Sequence, residues 1–250
     1  MDISELFWNA SLEELKSGYI QEKEQFICLI CGKKIEKGIV YPEDGVFYEA
    51  ERYMRMHIKN AHKSVFEYLI NLDKKLTGFS EHQSRLLMLF YQGKTDKEVQ
   101  KEMSIGSAST IRNHRFIIKE KERQAKITLA LMELLKERDK HAPEFINPQK
   151  TARMIDDRYN ITLEEKDEII KKNFPFGTDG RIRTFDIKEK EKLVVLTEIA
   201  KRIDREQIYS EKQINEILKA FYDDYVILRR YMIEYGFLDR KPDGSEYWLK

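Results

Sequence analysis

Two short segments organise the first third of the chain, Cys28-Leu29-Ile30-Cys31-Gly32 and His57-Ile58-Lys59-Asn60-Ala61-His62. The chain has two cysteines and five histidines, so both thiols and two imidazoles stand in these short segments. Zn²⁺ prefers four tetrahedral sulfur and nitrogen ligands, and a two-residue gap lets a tight turn present both thiolates while a helix presents both imidazoles. The spacing therefore predicts a zinc site made by Cys28, Cys31, His57 and His62.

The residues between the two pairs predict a hairpin followed by a helix. Ile39-Val40-Tyr41 and Val46-Phe47-Tyr48 flank the turn signal Pro42-Glu43-Asp44-Gly45, and helical spacing begins at Glu49. This order resembles a Cys-Cys-His-His zinc finger with a loop about twice the usual ~12 residues. With four protein ligands no position is left for water, so the metal is expected to be structural. A redox pair of thiols, or buried thiols with unrelated histidines, is the alternative interpretation.

Three helices are predicted in the middle of the chain. Ser80 with Gln83 forms a capping box, Thr95 with Glu98 forms a second capping signal, and a third helix starts near Ser109. The segments Phe79-Ser80-Glu81-His82-Gln83, Gly93-Lys94-Thr95-Asp96-Lys97-Glu98-Val99 and Thr110-Ile111-Arg112-Asn113-His114 resemble the helix-turn-helix of LuxR-type regulators and sigma-factor region four, over about residues 78–122.

That resemblance implies double-stranded DNA as the partner, with the last helix lying in the major groove. Arginine and asparagine can make bidentate base contacts, serine and threonine suit phosphate, and lysines serve the DNA backbone. The candidate contacts are Ser109, Thr110, Arg112, Asn113, Arg115, Lys119 and Lys121. The alternative is a three-helix core with a solvated charged face.

The third helix is expected to continue past its polar stretch into an apolar segment. Ala125, Leu129 and Met132 form one stripe, and Ile127, Leu131 and Leu134 form another. A helix that is apolar on more than one face needs partners on both sides. The sequence leaves two alternatives for these partners: a second copy of the chain in a homodimer, or other elements of the same chain.

The C-terminal third is predicted to be a winged-helix-like α+β domain. The prolines at 143 and 148 mark a boundary, after which Asn147-Pro148 predicts a short helix. The elements expected further on are a strand from Arg181 to Phe185, helices from Ile187 to Arg202, from Ser210 and from Tyr225 to Tyr235, and a hairpin with its turn at Asp243-Gly244. Residues 174–249 are similar to a C-terminal domain of unknown function found in bacterial regulators. The sequence leaves three alternatives for its partner: DNA, a protein or a ligand.

These features predict a mainly α protein with four segments. They are a zinc-finger module with flanking helices (1–76), the helix-turn-helix with its long helix (77–138), a helical linker (139–173) and the winged-helix-like domain (174–250). Hydrophobic residues make up 41% of the chain, enough for packed cores, and charged residues 36%. No apolar run reaches the ~18 residues of a membrane span and no signal peptide is visible, so a cytoplasmic protein that does not contact membranes is expected.

The sequence favours a DNA-binding transcription regulator that is not an enzyme. The net charge is only +1, but residues 107–126 hold six basic and two acidic side chains. Phosphate contacts need such a cluster of lysine and arginine. The alternatives are an adaptor that binds the transcription machinery through the C-terminal domain, and a zinc-containing nuclease, which would need a free base and an open metal position.

Overall fold

A computed structural model describes residues 3–152, 155–205 and 207–250. About half of the chain is helical, and the sheets are small. The chain forms two compact units. The N-terminal unit is Leu12–Ala142, and the C-terminal unit is Pro143–Lys250 together with the residues up to Ser11. The four-segment division stays a prediction, although the break at Ala142 falls in the boundary predicted around the two prolines.

The N-terminal unit begins with small sheets that support one helix. Its elements are α2 (Leu12–Ser17), β1 (Tyr19–Gln21), β2 (Gln25–Cys28), β3 (Lys34–Glu36), β4 (Val40–Glu43), β5 (Val46–Glu49), α3 (Ala50–His62), α4 (Val65–Ile70) and α5 (Lys74–Thr77). The antiparallel sheet has the order β1-β2-β3, and β4 pairs with β5 as predicted. Asp44 and Gly45 have φ of 51° and 78°, as a tight two-residue hairpin turn requires.

The core of this first part lies between the three-stranded sheet and α3. Tyr19, Phe26 and Ile35 from the sheet pack against Met54 and Ile58 of the helix. Met54 is fully buried, so the helix is fixed on the sheet along the side that also carries its histidines. This packing positions α3 relative to the end of β2.

Three further helices complete the N-terminal unit: α6 (Glu81–Tyr91), α7 (Asp96–Glu102) and α8 (Ala108–Arg138). Both predicted capping boxes are present, Ser80 with Gln83 and Thr95 with Glu98, and Ser107 caps α8. Leu86, Leu89, Val99 and Ile111 form their common core. The helix predicted to continue from about Ser109 is confirmed as a single α8 of 31 residues.

The C-terminal unit is built around a larger apolar core. Its elements are α1 (Ile3–Asn9), a 3-10 turn (Asp157–Tyr159), α9 (Leu163–Asn173), α10 (Glu189–Ala200), α11 (Glu211–Lys219), α12 (Tyr225–Glu234), β6 (Leu238–Arg240) and β7 (Tyr247–Leu249). Tyr209, between α10 and α11, pairs with Tyr247 of β7 through two backbone hydrogen bonds of 2.8 Å. Trp8 of α1 donates to the carbonyl of Pro148 at 2.6 Å, which ties the first helix to this unit.

Two predicted elements of this unit are wrong. The segment Arg181–Phe185 is not a strand, because its backbone pairs with helix ends: Ile182 N–H donates to the carbonyl of Phe221 and Arg183 N–H to that of Asn173. The expected short helix after Asn147-Pro148 is also absent from the described residues 148–152, which form a turn. In both places long-range contacts outweigh local propensity.

Truncating the helical core should destabilise the N-terminal unit. Leu86 is fully buried against Val99 and Ile111, so Leu86→Ala leaves a cavity and should cost about 2–5 kcal/mol of unfolding free energy. Leu129→Ala on exposed α8 is the matched control and should change it by under about 0.5 kcal/mol. Urea unfolding followed by circular dichroism measures both, and equal losses would contradict this core assignment.

Candidate metal centre and nucleic-acid surface

The two cysteines are presented by a tight turn at the end of β2. Gly32 has φ of 84°, a conformation that disfavours side chains, and its N–H donates to the carbonyl of Cys28 at 2.9 Å. The N–H of Cys28 donates to the carbonyl of Lys33, which continues the pairing toward β3. Cys28 and Cys31 therefore lie on one small loop whose shape is fixed by backbone hydrogen bonds.

The two histidines come from the last turns of α3. The ring centroids of His57 and His62 lie 5.0 Å apart with an interplanar angle of 89°. The Sγ atom of Cys31 lies 3.2 Å from Nε2 of His57. One ligand atom from each of Cys28, Cys31, His57 and His62 falls within 4.8 Å of the others, so the fold brings together all four predicted ligands.

The surroundings of the two thiols shift their pKa values in opposite directions. The hydrogen bond from Cys28 holds the pKa of the Cys31 thiol well below its ordinary value, and the contact with His57 acts in the same direction. The same hydrogen bond, together with burial, raises the pKa of the Cys28 thiol. Cys31 is therefore the first thiolate, and Cys28 loses its proton readily only when a cation replaces that proton as the partner of the sulfur.

The four residues fit a metal ion. Nε2 of His62 is buried and has no hydrogen-bond partner among the described residues, although a buried ring nitrogen normally has one. Ligand atoms about 2.0–2.3 Å from a tetrahedral ion lie about 3.3–3.8 Å apart, so shifts of roughly 1 Å or less would close the observed cluster around one ion. A cation would satisfy the orphaned nitrogen and the thiolate together.

Contacts that need no metal hold α3 beside the cysteine loop. The rings of Tyr41 in β4 and Tyr53 in α3 stack at 4.6 Å, and Tyr19 O–H donates to Glu51 at 2.6 Å. Arg55 pairs with the same Glu51 carboxylate. Sequence patterns did not identify these contacts: Tyr41 with Tyr53 and Tyr19 with Glu51 join different elements, and the Arg55–Glu51 pair lies within one turn of α3.

The candidate DNA contacts lie at the start of α8, but their surroundings differ. Arg112 and Asn113 are exposed and make no hydrogen bond or ion pair among the described residues. Ser109 and Thr110 are also exposed, and their hydroxyls contact Oγ of Ser107, which caps the helix. Arg112 and Asn113 are thus the two side chains most available to a ligand.

The other three candidates already have partners within the chain. Arg115 donates to Asp96 of α7 at 2.8 and 3.0 Å and stacks on the ring of Phe90 at 3.6 Å. Lys121 donates to the carbonyl of Gly78 at 2.7 Å. Lys119 pairs with Glu122 on the helix surface at 2.6 Å, an exposed pair that is weak and easily exchanged. Arg115 and Lys121 brace α8 against the preceding helices.

The corresponding surface of the C-terminal unit is less basic. α12 begins directly after Asp223 and Asp224, and Asp224 caps it. Arg229 is only 14% exposed because it pairs with Glu211 and Asn215. Arg230 is the exposed arginine of this helix.

No helix in the described part of the chain combines the length and apolar character needed to cross a membrane. Residues 181–249 match a family described as an uncharacterized protein conserved in bacteria (DUF2087). The expected resemblance of the C-terminal third to a bacterial domain of unknown function is confirmed in that form. Comparison with curated proteins and with solved structures gave no match. The C-terminal part of the chain thus carries a bacterial domain whose family description assigns no activity.

Proposed function

We propose that this protein is a DNA-binding transcription regulator with a structural zinc site and a central helix-turn-helix. The observation that carries the proposal lies at the start of α8. Arg112 and Asn113 are exposed there and have no side-chain partner among the described residues, while the preceding residue, Ile111, is fully buried in the core. Such a residue pair on a rigid helix can enter the major groove and make bidentate contacts to bases.

The surroundings of α8 support a helix-turn-helix. Val99 of α7 and Ile111 of α8 share one core, and the turn between the helices contains Ser104 at φ of 53°. Two nitrogens of Arg115 donate to the same Oδ1 atom of Asp96, which holds α8 against α7. A groove-reading helix depends on this kind of bracing, because the preceding helix sets its orientation on the DNA backbone.

Zinc is the ion that the four ligands favour. Two thiolates and two imidazoles match the tetrahedral set of structural zinc sites, and all four ligand positions are then occupied by protein. Zinc bound there links the loop after β2 to the end of α3, so it stabilises a small core of sheet and helix. A catalytic role is disfavoured, since water would have no open coordination position.

We infer that the C-terminal unit is winged-helix-like, and its element order supports this. α10, the bridge at Tyr209, α11, α12 and the β6–β7 hairpin follow one another, and the bridge adds Tyr209 to the edge of the hairpin. In a winged helix α12 would be the groove-reading helix, but Asp223 and Asp224 at its start would repel phosphate and Arg229 is engaged by Glu211. We infer that this unit tunes the central helices rather than supplying the main DNA contacts.

An adaptor of the transcription machinery is the second candidate function. The acidic start of α12 with exposed Val226 favours a protein surface over a phosphate backbone as its partner. If the protein is such an adaptor, it should stay bound to its protein partner at salt concentrations that abolish its binding to duplex DNA.

Replacing one ligand should remove the metal. Cys28→Ser and His57→Ala should lower the zinc content from about one per chain to near zero and lower the melting temperature of the N-terminal unit. His141→Ala, at an exposed histidine outside the cluster, is the matched control and should keep the zinc. In the unchanged protein zinc should be released as pH falls, because protons compete for the ligand atoms. Elemental analysis measures the metal, and full zinc in Cys28→Ser would refute the site.

Base-contacting and backbone-contacting residues should separate in a salt series. Arg112→Ala or Asn113→Ala should cost about 1–3 kcal/mol on the preferred duplex and relax its sequence preference. Lys119→Ala should weaken all duplexes alike and flatten the salt slope by about one. Lys121→Ala should in addition destabilise the unit, since Lys121 holds the carbonyl of Gly78. Fluorescence anisotropy gives these affinities, and identical losses on every sequence would count against the assignment.

The C-terminal unit should contribute little to the salt dependence. Arg230→Ala on α12 should leave duplex affinity and its salt slope within about twofold of the unchanged protein, whereas Arg112→Ala on α8 should weaken binding about tenfold or more. Both are exposed arginines on helices, so they are matched. If Arg230→Ala weakened binding and Arg112→Ala did not, α12 would be the principal DNA-binding helix.

A further inference from the structure

The C-terminal half of α8 exposes more large apolar side chains than a solvent-exposed helix normally does. Ile127, Leu131, Leu134 and Leu135 are 62%, 54%, 59% and 51% exposed. Ile111, near the start of the helix, is its fully buried residue. Every residue of α8 beyond residue 122 is exposed, so no element among the described residues covers that segment. Exposed apolar patches of this kind mark interaction sites.

The spacing of these side chains is that of a coiled-coil seam. Ile127, Leu131 and Leu134 alternate steps of four and three, so they occupy consecutive core positions of a heptad, and Leu135 flanks them. We call these four residues the α8 seam. Leu129 and Met132 lie on another side of the helix, outside the seam.

The area of the α8 seam matches one half of a specific interface. Covering a half-exposed leucine or isoleucine removes roughly 100 Å² of apolar surface from water, so four give about 400 Å² and two copies about 800 Å². A specific interface of ~1,600 Å² is a little over half apolar, which corresponds to about 900 Å². Two identical seams therefore supply nearly all the apolar area that one such interface requires.

The charges that flank the seam choose the orientation of the two helices. Residues 119–126 of α8 carry four basic and two acidic side chains, whereas residues 127–138, the rest of the helix, carry two of each. A parallel pair would place the two basic segments side by side, whereas an antiparallel pair places each basic segment beside the charge-balanced segment of the other copy, which contains Glu137. Arg123 and Glu137 occupy the same flanking position two heptads apart, with Ala130 midway between them.

We propose that a second copy of this chain covers the α8 seam, forming an antiparallel two-helix coiled coil with its two-fold axis near Ala130. In this register Leu131 packs beside the partner's Ile127, and Arg123, which pairs with Glu120 within one copy, also lies beside the partner's Glu137. The interface is self-complementary, as two-fold symmetry requires, because each contact is made twice.

The first test is the oligomeric state of the full-length, zinc-loaded protein. Sedimentation across a concentration series should show a dimer for the unchanged chain, and Leu131→Glu with Leu134→Glu should raise the dissociation constant on the order of 100-fold. Leu129→Glu with Met132→Glu is the matched control outside the seam and should leave the dimer intact. Leu131→Ala, which preserves helix propensity, should weaken the dimer about tenfold if the glutamate variant fails to fold.

The second test is the orientation. Arg123→Glu and Glu137→Arg should each weaken the dimer about two- to tenfold, and the double variant should restore it, because each pair occurs twice and is reversed in sign. A protein that stays monomeric at all concentrations, or one that loses its dimer through Leu129 and Met132 alone, would overturn the proposal. A double variant as weak as the single ones would overturn the antiparallel register.

Discussion

The burial of one side chain, Ile111, determines what α8 can do. It is the fully buried residue of that helix, and it packs with Leu86, Leu89 and Val99 of the two preceding helices. Because a helix turns by about 100° per residue, fixing Ile111 toward the core directs Arg112 and Asn113 away from it. The same constraint acts at one end of a 31-residue helix, so the other end extends into solvent with its apolar stripes uncovered.

The candidate metal centre acts on a scaffold that is already partly held together. The stacking of Tyr41 on Tyr53 and the burial of Met54 keep α3 on the sheet, so contacts within the protein help to hold the histidines beside the cysteine loop. The site also has an electrostatic cost, since a thiolate at the half-buried Cys31 lies near Nε2 of His62, a buried nitrogen with no hydrogen-bond partner among the described residues. A cation bound by the four ligands would offset that cost directly.

Sequence patterns predicted the local structure well and the use of charged side chains poorly. Capping boxes at Ser80 and Thr95 and the turn at Asp44-Gly45 are decided within a few residues, so they could be predicted. Cys28 and His57 could be grouped because their residue types and spacing are rare in combination. In contrast, the partner of Arg115 is Asp96 and that of Lys121 is the Gly78 carbonyl, and both depend on tertiary packing. The packing of α1 with the C-terminal unit is equally non-local.

Those internal partners set how strongly one copy could hold DNA under the proposed function. Of the six basic side chains in residues 107–126, Arg115 and Lys121 are engaged with other elements, while Lys119 and Arg123 pair with glutamates on the helix surface. Few cations then remain for phosphate, and non-specific affinity grows with the number of phosphates neutralised. A chain with a net charge of +1 cannot draw on a general positive field either. Two copies joined through α8 would double the available contacts without adding any charge to the chain, so the coiled coil and the sparse basic surface are consistent with each other physically.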